Sequence, residues 1–275
     1  MSDSAAITRS VAGSFVAARL AARALPAYPG PLPETLADAY ARQDAAIALW
    51  PDEIAGWKVG GVPDPWPARL GESRLLGPIF RRHLWHARDD VITRLPVIPG
   101  GFAAVEAEYV FVLATSVPAE RREWTPAQTV EVVAELRVGI ELAGSPLATI
   151  NELGPAVVVS DFGNNAGLLI GGPIANGLSR PLESLTCDMH VDGRRVGRGG
   201  AASIAGGPLA ALAFALGCCA RRGRTLRAGD VISTGACTGV HTVRIGEEVR
   251  AAFLGAAELR CRAVRAGPAK PRRTR

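Results

Sequence analysis

The sequence predicts an α+β protein in which a short helical segment leads into a mixed, strand-dominated domain from about residue 55. Three observations carry this. Residues 8–24 and 34–50 place apolar side chains at helical spacing, and the breaker Pro26-Ala-Tyr-Pro-Gly-Pro-Leu-Pro33 separates them. Beyond residue 55, short apolar runs alternate with glycine-rich turns. The 31 glycines and 20 prolines among 275 residues supply a turn content that suits sheets better than a helical bundle.

Each element follows from local pattern. Within 34–50, Leu36, Tyr40, Ile47 and Trp50 fall on one side of a helix. Gly56-Trp57-Lys58-Val59-Gly60-Gly61 reads as a short strand closing in glycines. A loop rich in Pro and Trp follows, then Gly77-Pro78-Ile79-Phe80, and turn-like text runs on to Pro99. Residues 103–114 read as a buried strand, and 126–136 as a helix with Thr125 as its N-cap. Strands are expected at 138–142, 156–160 and 164–172, and in a hairpin over 187–196 that turns at Asp192-Gly193. Residues 208–222 form a helix, with Pro208 in its first turn, Arg in its last and Gly223 at its stop. Strands at 229–233, 240–245 and 248–254 complete the series. The chain thus divides into a helical segment 1–54, a main domain 55–265 and a basic, disordered tail 266–275.

Composition bounds the function classes. Hydrophobic residues make up 48% and charged residues 21%, which excludes wholesale disorder. The formal charge of +5 falls to +1 without the tail, where Lys270, Arg272, Arg273 and Arg275 stand with no acid. No aromatics interleave with these cations as a nucleic-acid platform needs, so a solvated terminus is expected rather than a nucleic-acid or membrane arm. Cys187, Cys218, Cys219, Cys237 and Cys261 are odd in number and lack CxxC spacing, which argues against a disulfide framework or a zinc site. Arg9, Arg19 and Arg23 interrupt the first apolar run, so no secretory signal is read there. No apolar run approaches the roughly 20 residues that cross a bilayer. A cytoplasmic location is expected.

Glu106 and Glu108 carry the chemistry. Residues two apart in a strand point the same way, with side chains about 7 Å apart, and these two sit inside the apolar run from Val105 to Leu113. Ionised carboxylates on one buried face repel and cost several kcal/mol each unless paired. A divalent cation resolves both problems, and hard oxygen ligands favour Mg2+ or Mn2+ over zinc. The alternative is a pair on the solvent face of an edge strand. Glu141, a single acid in Val138-Gly-Ile-Glu-Leu142, would complete a set of three.

Six motifs in order then resemble a known family. They are Gly56-Trp-Lys58-Val-Gly60, Gly77-Pro-Ile-Phe80, Val105-Glu106-Ala-Glu108, Ile140-Glu141-Leu-Ala-Gly-Ser145, Gly206-Gly-Pro-Leu209 and Gly229-Asp-Val-Ile-Ser-Thr-Gly235. Leu36-Ala-Asp-Ala-Tyr40-Ala-Arg-Gln43 adds a similar N-terminal helix. Together they resemble the 2-keto-4-pentenoate hydratase and 4-oxalocrotonate decarboxylase branch of the fumarylacetoacetate hydrolase superfamily, over residues 34–260. The resemblance implies a mixed β-roll or β-sandwich core with the N-terminal helical segment, oligomeric assembly, and Mg2+ or Mn2+ held by Glu106, Glu108 and Glu141. It also implies that Lys58 stands beside the metal at a small 2-oxo acid substrate, as a positive charge or proton donor; without it, Lys58 reads as a surface lysine at a strand end.

The departures locate what differs. Where the hydratases show an Asp after the phenylalanine, this chain has Arg81-Arg82-His83 following Phe80. The Ser or Thr after the lysine motif is replaced by Gly61-Val62-Pro63. The acid-containing Asp-Asn-Ala stretch becomes Asn164-Asn165-Ala166, with Asp161 upstream, and Gly-His-Pro-Leu becomes Gly206-Gly207-Pro208-Leu209. Arg82 and His83 are therefore candidates for binding a second substrate carboxylate or for proton transfer, and Phe80, Arg81, Asp161 and Asn164 for substrate binding. Structural roles are expected for His86, His190 and His241. A metal-dependent lyase, hydratase or decarboxylase, is the expectation. The alternatives are C–C hydrolysis of an acylpyruvate, which needs an activated water, and a non-catalytic relative serving as a partner subunit.

Overall fold

The computed structural model describes residues 3–269, so the tail cations Lys270, Arg272, Arg273 and Arg275 lie outside the described residues. In chain order the elements begin with α1 (Asp3–Leu20), α2 (Leu36–Leu49), β1 (Ile54–Gly61), α3 (Trp66–Leu70), β2 (Arg74–Phe80), β3 (Leu84–His86) and β4 (Thr93–Val97). The middle of the chain holds β5 (Phe102–Leu113), α4 (Pro126–Thr129), β6 (Val133–Ser145), α5 (Pro155–Ser160), β7 (Asn165–Pro173), β8 (Thr186–Val191) and β9 (Arg194–Gly200). The last part holds α6 (Pro208–Arg221), β10 (Val231–Ala236), β11 (His241–Thr242), β12 (Glu248–Phe253) and β13 (Ala257–Arg265).

Among the described residues the strands form two sheets. An eight-stranded sheet runs β2-β1-β10-β5-β6-β7-β3, with β11 also paired to β5; a five-stranded sheet runs β4-β13-β12-β8-β9. The long antiparallel pair β5–β6 is its backbone, in register from Phe102 opposite Ser145 onward. Period-two alternation sorts this pair into two faces. Val105, Ala107, Tyr109 and Phe111 of β5, with Val138, Ile140 and Leu142 of β6, pack into the main core with Val249, Ala251, Leu259 and Cys261 of the second sheet. Glu106, Glu108 and Val110 therefore point the other way. Both faces are covered, which is why β5 reads as a continuous apolar run rather than an alternating one.

The two N-terminal helices do not stand apart. Val11 and Phe15 of α1 and Leu36 and Ala39 of α2 share one core with Leu75 of β2, Leu147, and Val157 and Val159 of α5. The Thr35 side chain caps α2 and accepts from the Asp38 N–H at 3.1 Å. Gln43, fully buried in α2, donates to the carbonyls of Leu76 and Val159 at 2.9 Å each.

Several expectations are corrected. Residues 126–136 form only a four-residue helix and a single tight turn before β6 begins at Val133; Thr125 does cap it. The branched Val130, Val132 and Val133 weaken the helix, and pairing of 133–136 with β5 wins. Residues 156–160, expected as a strand, are helix α5. Gly154 at φ 97° turns the chain into it, Pro155 opens it, and its valines fill the core beneath α1 and α2. The turn-like stretch after Phe80 contains β3 and β4, the Trp-rich loop contains α3, and β13 was not foreseen. The tail is not free from residue 266 onward: the Ala266 N–H donates to Val97 at 2.8 Å and the Ala269 N–H to Leu20 at 2.7 Å. The hairpin at Asp192-Gly193 forms as expected, with φ of 46° and 76°. All five cysteines are free and buried, and no described helix is long and apolar enough to cross a membrane.

Candidate metal centre

Strand register brings three carboxylates together. Glu106 of β5 lies directly opposite Glu141 of β6, and Glu108 follows on the same face. One carboxylate oxygen from each lies within 4.8 Å of the others. Glu108 and Glu141 are fully buried and Glu106 is 8% exposed. Burial pushes the Glu106 carboxyl up to about 7, helped by the like charge of Glu141 and opposed by Lys58. Burial and both neighbouring carboxylates push Glu108 well above the ordinary range.

The polar groups around them satisfy part of this cluster. Ser233 Oγ and the Gly235 N–H (2.9 Å) both donate to Glu108 Oε2. Asn165 Nδ2 donates to Glu141 Oε1 at 2.8 Å, and Lys58 Nζ lies 3.5 Å from the same oxygen. Glu108 Oε1 and Glu141 Oε2 are buried without a hydrogen-bond partner. Such orphaned oxygens are costly. A hard divalent cation fits this set: all donors are carboxylate oxygens, two lack partners, and one ammonium cannot balance three buried carboxylates.

Lys58, only 4% exposed, lies on β1. Burial alone would lower its pKa, but Glu141, Glu106 and Glu108 outweigh this and hold it above the usual lysine value. Its Nζ donates to Asn164 Oδ1 at 3.2 Å, and Asn164 Nδ2 donates to Asn151 Oδ1 at 3.2 Å. Lys58, Glu106 and Asn164 all border a cavity of about 520 Å3, whose walls include Trp66, Val158 and Ile204. Arg74 also borders it; its guanidinium donates to the Ala205 carbonyl.

The remaining expected site residues lie elsewhere. Asp161 is fully buried, ion-paired to Arg19 and hydrogen-bonded by Ser145 Oγ at 2.6 Å, and does not border the cavity. Phe80 packs against Trp50 and Phe162 with ring centroids 5.4 and 4.9 Å away. Arg81 and Arg82 are exposed, beside Glu53 and Asp52 at 3.6 and 3.8 Å. His83 sits near Trp50 and Trp85, where burial and then the Arg19 charge lower its pKa. Phe80 and His83 border a separate cleft of about 180 Å3. The reason is strand direction. In the antiparallel pair β1–β2, Lys58 faces Gly77 and Gly61 faces Arg74, so residues 80–83 leave the sheet at the opposite end from the cavity. Asn165, Ser233 and Gly235 lay inside motifs singled out for other residues. Arg74, Asn151 and Arg19 gave no sequence signal beyond their type.

No family model matches the chain. Solved structures do, and they define its class: the chain has the fumarylacetoacetate-hydrolase-type fold, with a curled mixed sheet, a second sheet and an N-terminal helical segment. Two of them are 4-oxalocrotonate decarboxylase from Pseudomonas putida G7, with calcium and acetate and with magnesium and adipate. They are 21% and 20% identical, with a TM-score of 0.76 over 94% of this chain and 97% of that one. Fumarylpyruvate hydrolase from Pseudomonas aeruginosa with Mn2+ and pyruvate is similar at 20% identity and a TM-score of 0.54, over 76% of this chain and 89% of its own. At these identities the likeness is one of fold.

Proposed function

We propose that this chain is a divalent-metal-dependent lyase, a hydratase or decarboxylase, acting on a small 2-oxo acid or 2-hydroxydienoate, with Mg2+ or Mn2+ held by Glu106, Glu108 and Glu141. The observation that carries the reading is the buried three-carboxylate cluster with two unpartnered oxygens beside a large cavity. Magnesium, manganese, adipate and pyruvate in the enzymes of like fold support the same ligand chemistry.

A bound cation there supplies a Lewis acid toward the 2-oxo carboxylate of a substrate. The chain's own residues do the rest. Lys58, with Nζ 3.5 Å from Glu141 Oε1, offers a positive charge where negative charge develops on the substrate. Asn164, anchored by Asn151, fixes the Lys58 ammonium in direction. Trp66, Val158 and Ile204 keep the cavity wall apolar and limit water at the reacting carbons. Arg74, with one backbone partner and no carboxylate among the described residues, suits a second substrate carboxylate, the role expected of Arg82 and His83.

A lyase is favoured over an acylpyruvate hydrolase because no described residue bordering the cavity is a histidine. The test follows the loss of ultraviolet absorbance of 2-hydroxypenta-2,4-dienoate and of a 2-oxo-hexenedioate with Mg2+ or Mn2+. Turnover is expected to need metal and to fall about 100-fold or more in Lys58→Ala, a loss typical of removing one charge-stabilising donor, with metal still bound. No turnover of either compound or of an acylpyruvate would leave the non-catalytic partner-subunit reading instead. Homo-oligomeric assembly belongs to the same proposal and is checked by light scattering.

A further inference from the structure

Asn164 and Asn165 reach Lys58 and Glu141 from a turn that the backbone alone disfavours. Phe162, Gly163 and Asn164 are three consecutive residues in the left-handed region, with φ of 55°, 62° and 52°. Gly and Asn tolerate this conformation; Phe has no local polar group to offset it. The turn also presses on β2, where a Cβ at Gly77 would stand 2.2 Å from the Phe162 carbonyl oxygen. A strained turn of this kind persists only where its surroundings over-determine it.

Arg19, in the last turn of α1, does so. Its side chain is 7% exposed and paired with a fully buried Asp161. Nε and Nη2 donate to the two Asp161 carboxylate oxygens at 2.5 and 2.9 Å. Nη2 also donates to the carbonyls of Gly144 (2.8 Å) and Asp161 (3.3 Å), and Nη1 donates to the Asn165 carbonyl at 3.1 Å. The guanidinium lies 5.2 Å from the Phe162 ring centroid. One planar cation thus ties the end of β6, three residues beyond Glu141, to both ends of the turn. Asn165 is held at its carbonyl by Arg19 while its amide donates to Glu141 Oε1 at 2.8 Å. A desolvated pair is a poor way to gain stability alone, and its planar, bidentate geometry is a good way to fix position.

We propose that Arg19 is a positioning residue of the metal centre. Through Asp161 and the Asn165 carbonyl it sets the turn that aims Asn165 at Glu141 and Asn164 at Lys58. Helix α1 is then part of the site, although it contributes nothing to the cavity wall. The proposal rests on the metal-dependent reading above.

Calorimetric titration of the full chain with Mn2+ tests it without recourse to turnover. The variants are Arg19→Gln/Asp161→Asn, which removes both charges together, Asn165→Ala, and the triple combination. Arg42→Gln is the control: Arg42 is also buried and bonds Tyr28 and Pro31, outside the site. Orienting partners of metal ligands typically alter affinity 10–100-fold. A loss of about that size is expected in Arg19→Gln/Asp161→Asn, with none in Arg42→Gln. Adding Asn165→Ala should cost little more, because both changes act through one contact. Affinity within about twofold of wild type in the folded double variant, or an equal loss in Arg42→Gln, overturns the proposal. Should the double variant not fold, Arg19→Lys keeps the charge and loses the fork; unchanged Mn2+ affinity there overturns the proposal as well, and a loss supports it. Wild-type protein that binds no Mn2+ would remove the metal reading and this inference together. Intact wild-type binding with unaffected variants removes this inference alone.

Discussion

Three carboxylates and one ammonium, all buried, set the behaviour of the site at the scale of single residues. In Glu106→Gln one like charge disappears from a buried face, so Mn2+ binding should fall by at least about 100-fold in calorimetry. The metal-free fold should be unharmed or a few degrees more stable at pH 8, at about 2–4 °C per kcal/mol for a chain of this size. Unchanged Mn2+ affinity would remove Glu106 from the ligand set. The pH dependence has an unusual sign. Glu106 titrates near 7 in the folded protein against 4.5 for the free side chain, so the native state binds the extra proton between those values. Stability of the metal-free protein should therefore decrease as pH rises from about 4.5 to 7, the reverse of an ion-paired carboxylate. Thermal melts in chelator across that window would check it; a flat or rising profile counts against the buried cluster. Lys58 acts in the same direction at higher pH, its raised pKa contributing stability that is present below 10.5 and lost as pH rises past its folded value.

Among elements, the β5–β6 pair and the turn at 161–165 do most to build the site. The strand pair was legible: alternation put Glu106 and Glu108 on one face before any partner was known. Its register opposite Glu141 was not, since sequence spacing alone does not say which strand pairs with β5. The stretch 156–160 shows a different failure. Three valines favour a strand locally, yet a glycine–proline entry and burial against two helices make it α5. Gly77 belongs to this scale as well, because the 161–165 turn lies directly on it. Gly77→Ala should destabilise the fold by about 2–4 kcal/mol, as overpacking against backbone does, and weaken Mn2+ binding with it. Denaturant melts of the metal-free and metal-loaded protein would measure both; a neutral substitution would show that the turn can move away.

For the whole molecule, a cation that binds only the native state must raise its stability. At a concentration near 100 times Kd the gain is about 2.7 kcal/mol, or roughly 5–10 °C in thermal midpoint, reversed by chelator. No shift with Mg2+ or Mn2+ would argue against the metal centre. The boundary read at residue 54 separates sequence patterns, not packing units: α1 and α2 share cores with β2 and α5, and Arg19 reaches a partner 142 residues away. Short-range patterns in this sequence already determined the α+β class, the hairpin at Asp192-Gly193 and the pair of glutamates on one strand face, because those follow from the geometry of a single strand or turn. Only the tertiary structure decided that Arg74 rather than Arg82 or His83 borders the cavity, that Asp161 belongs to Arg19, and that Asn165 holds Glu141. Those contacts depend on strand direction and on side chains brought together from distant parts of the chain, and no local pattern encodes either.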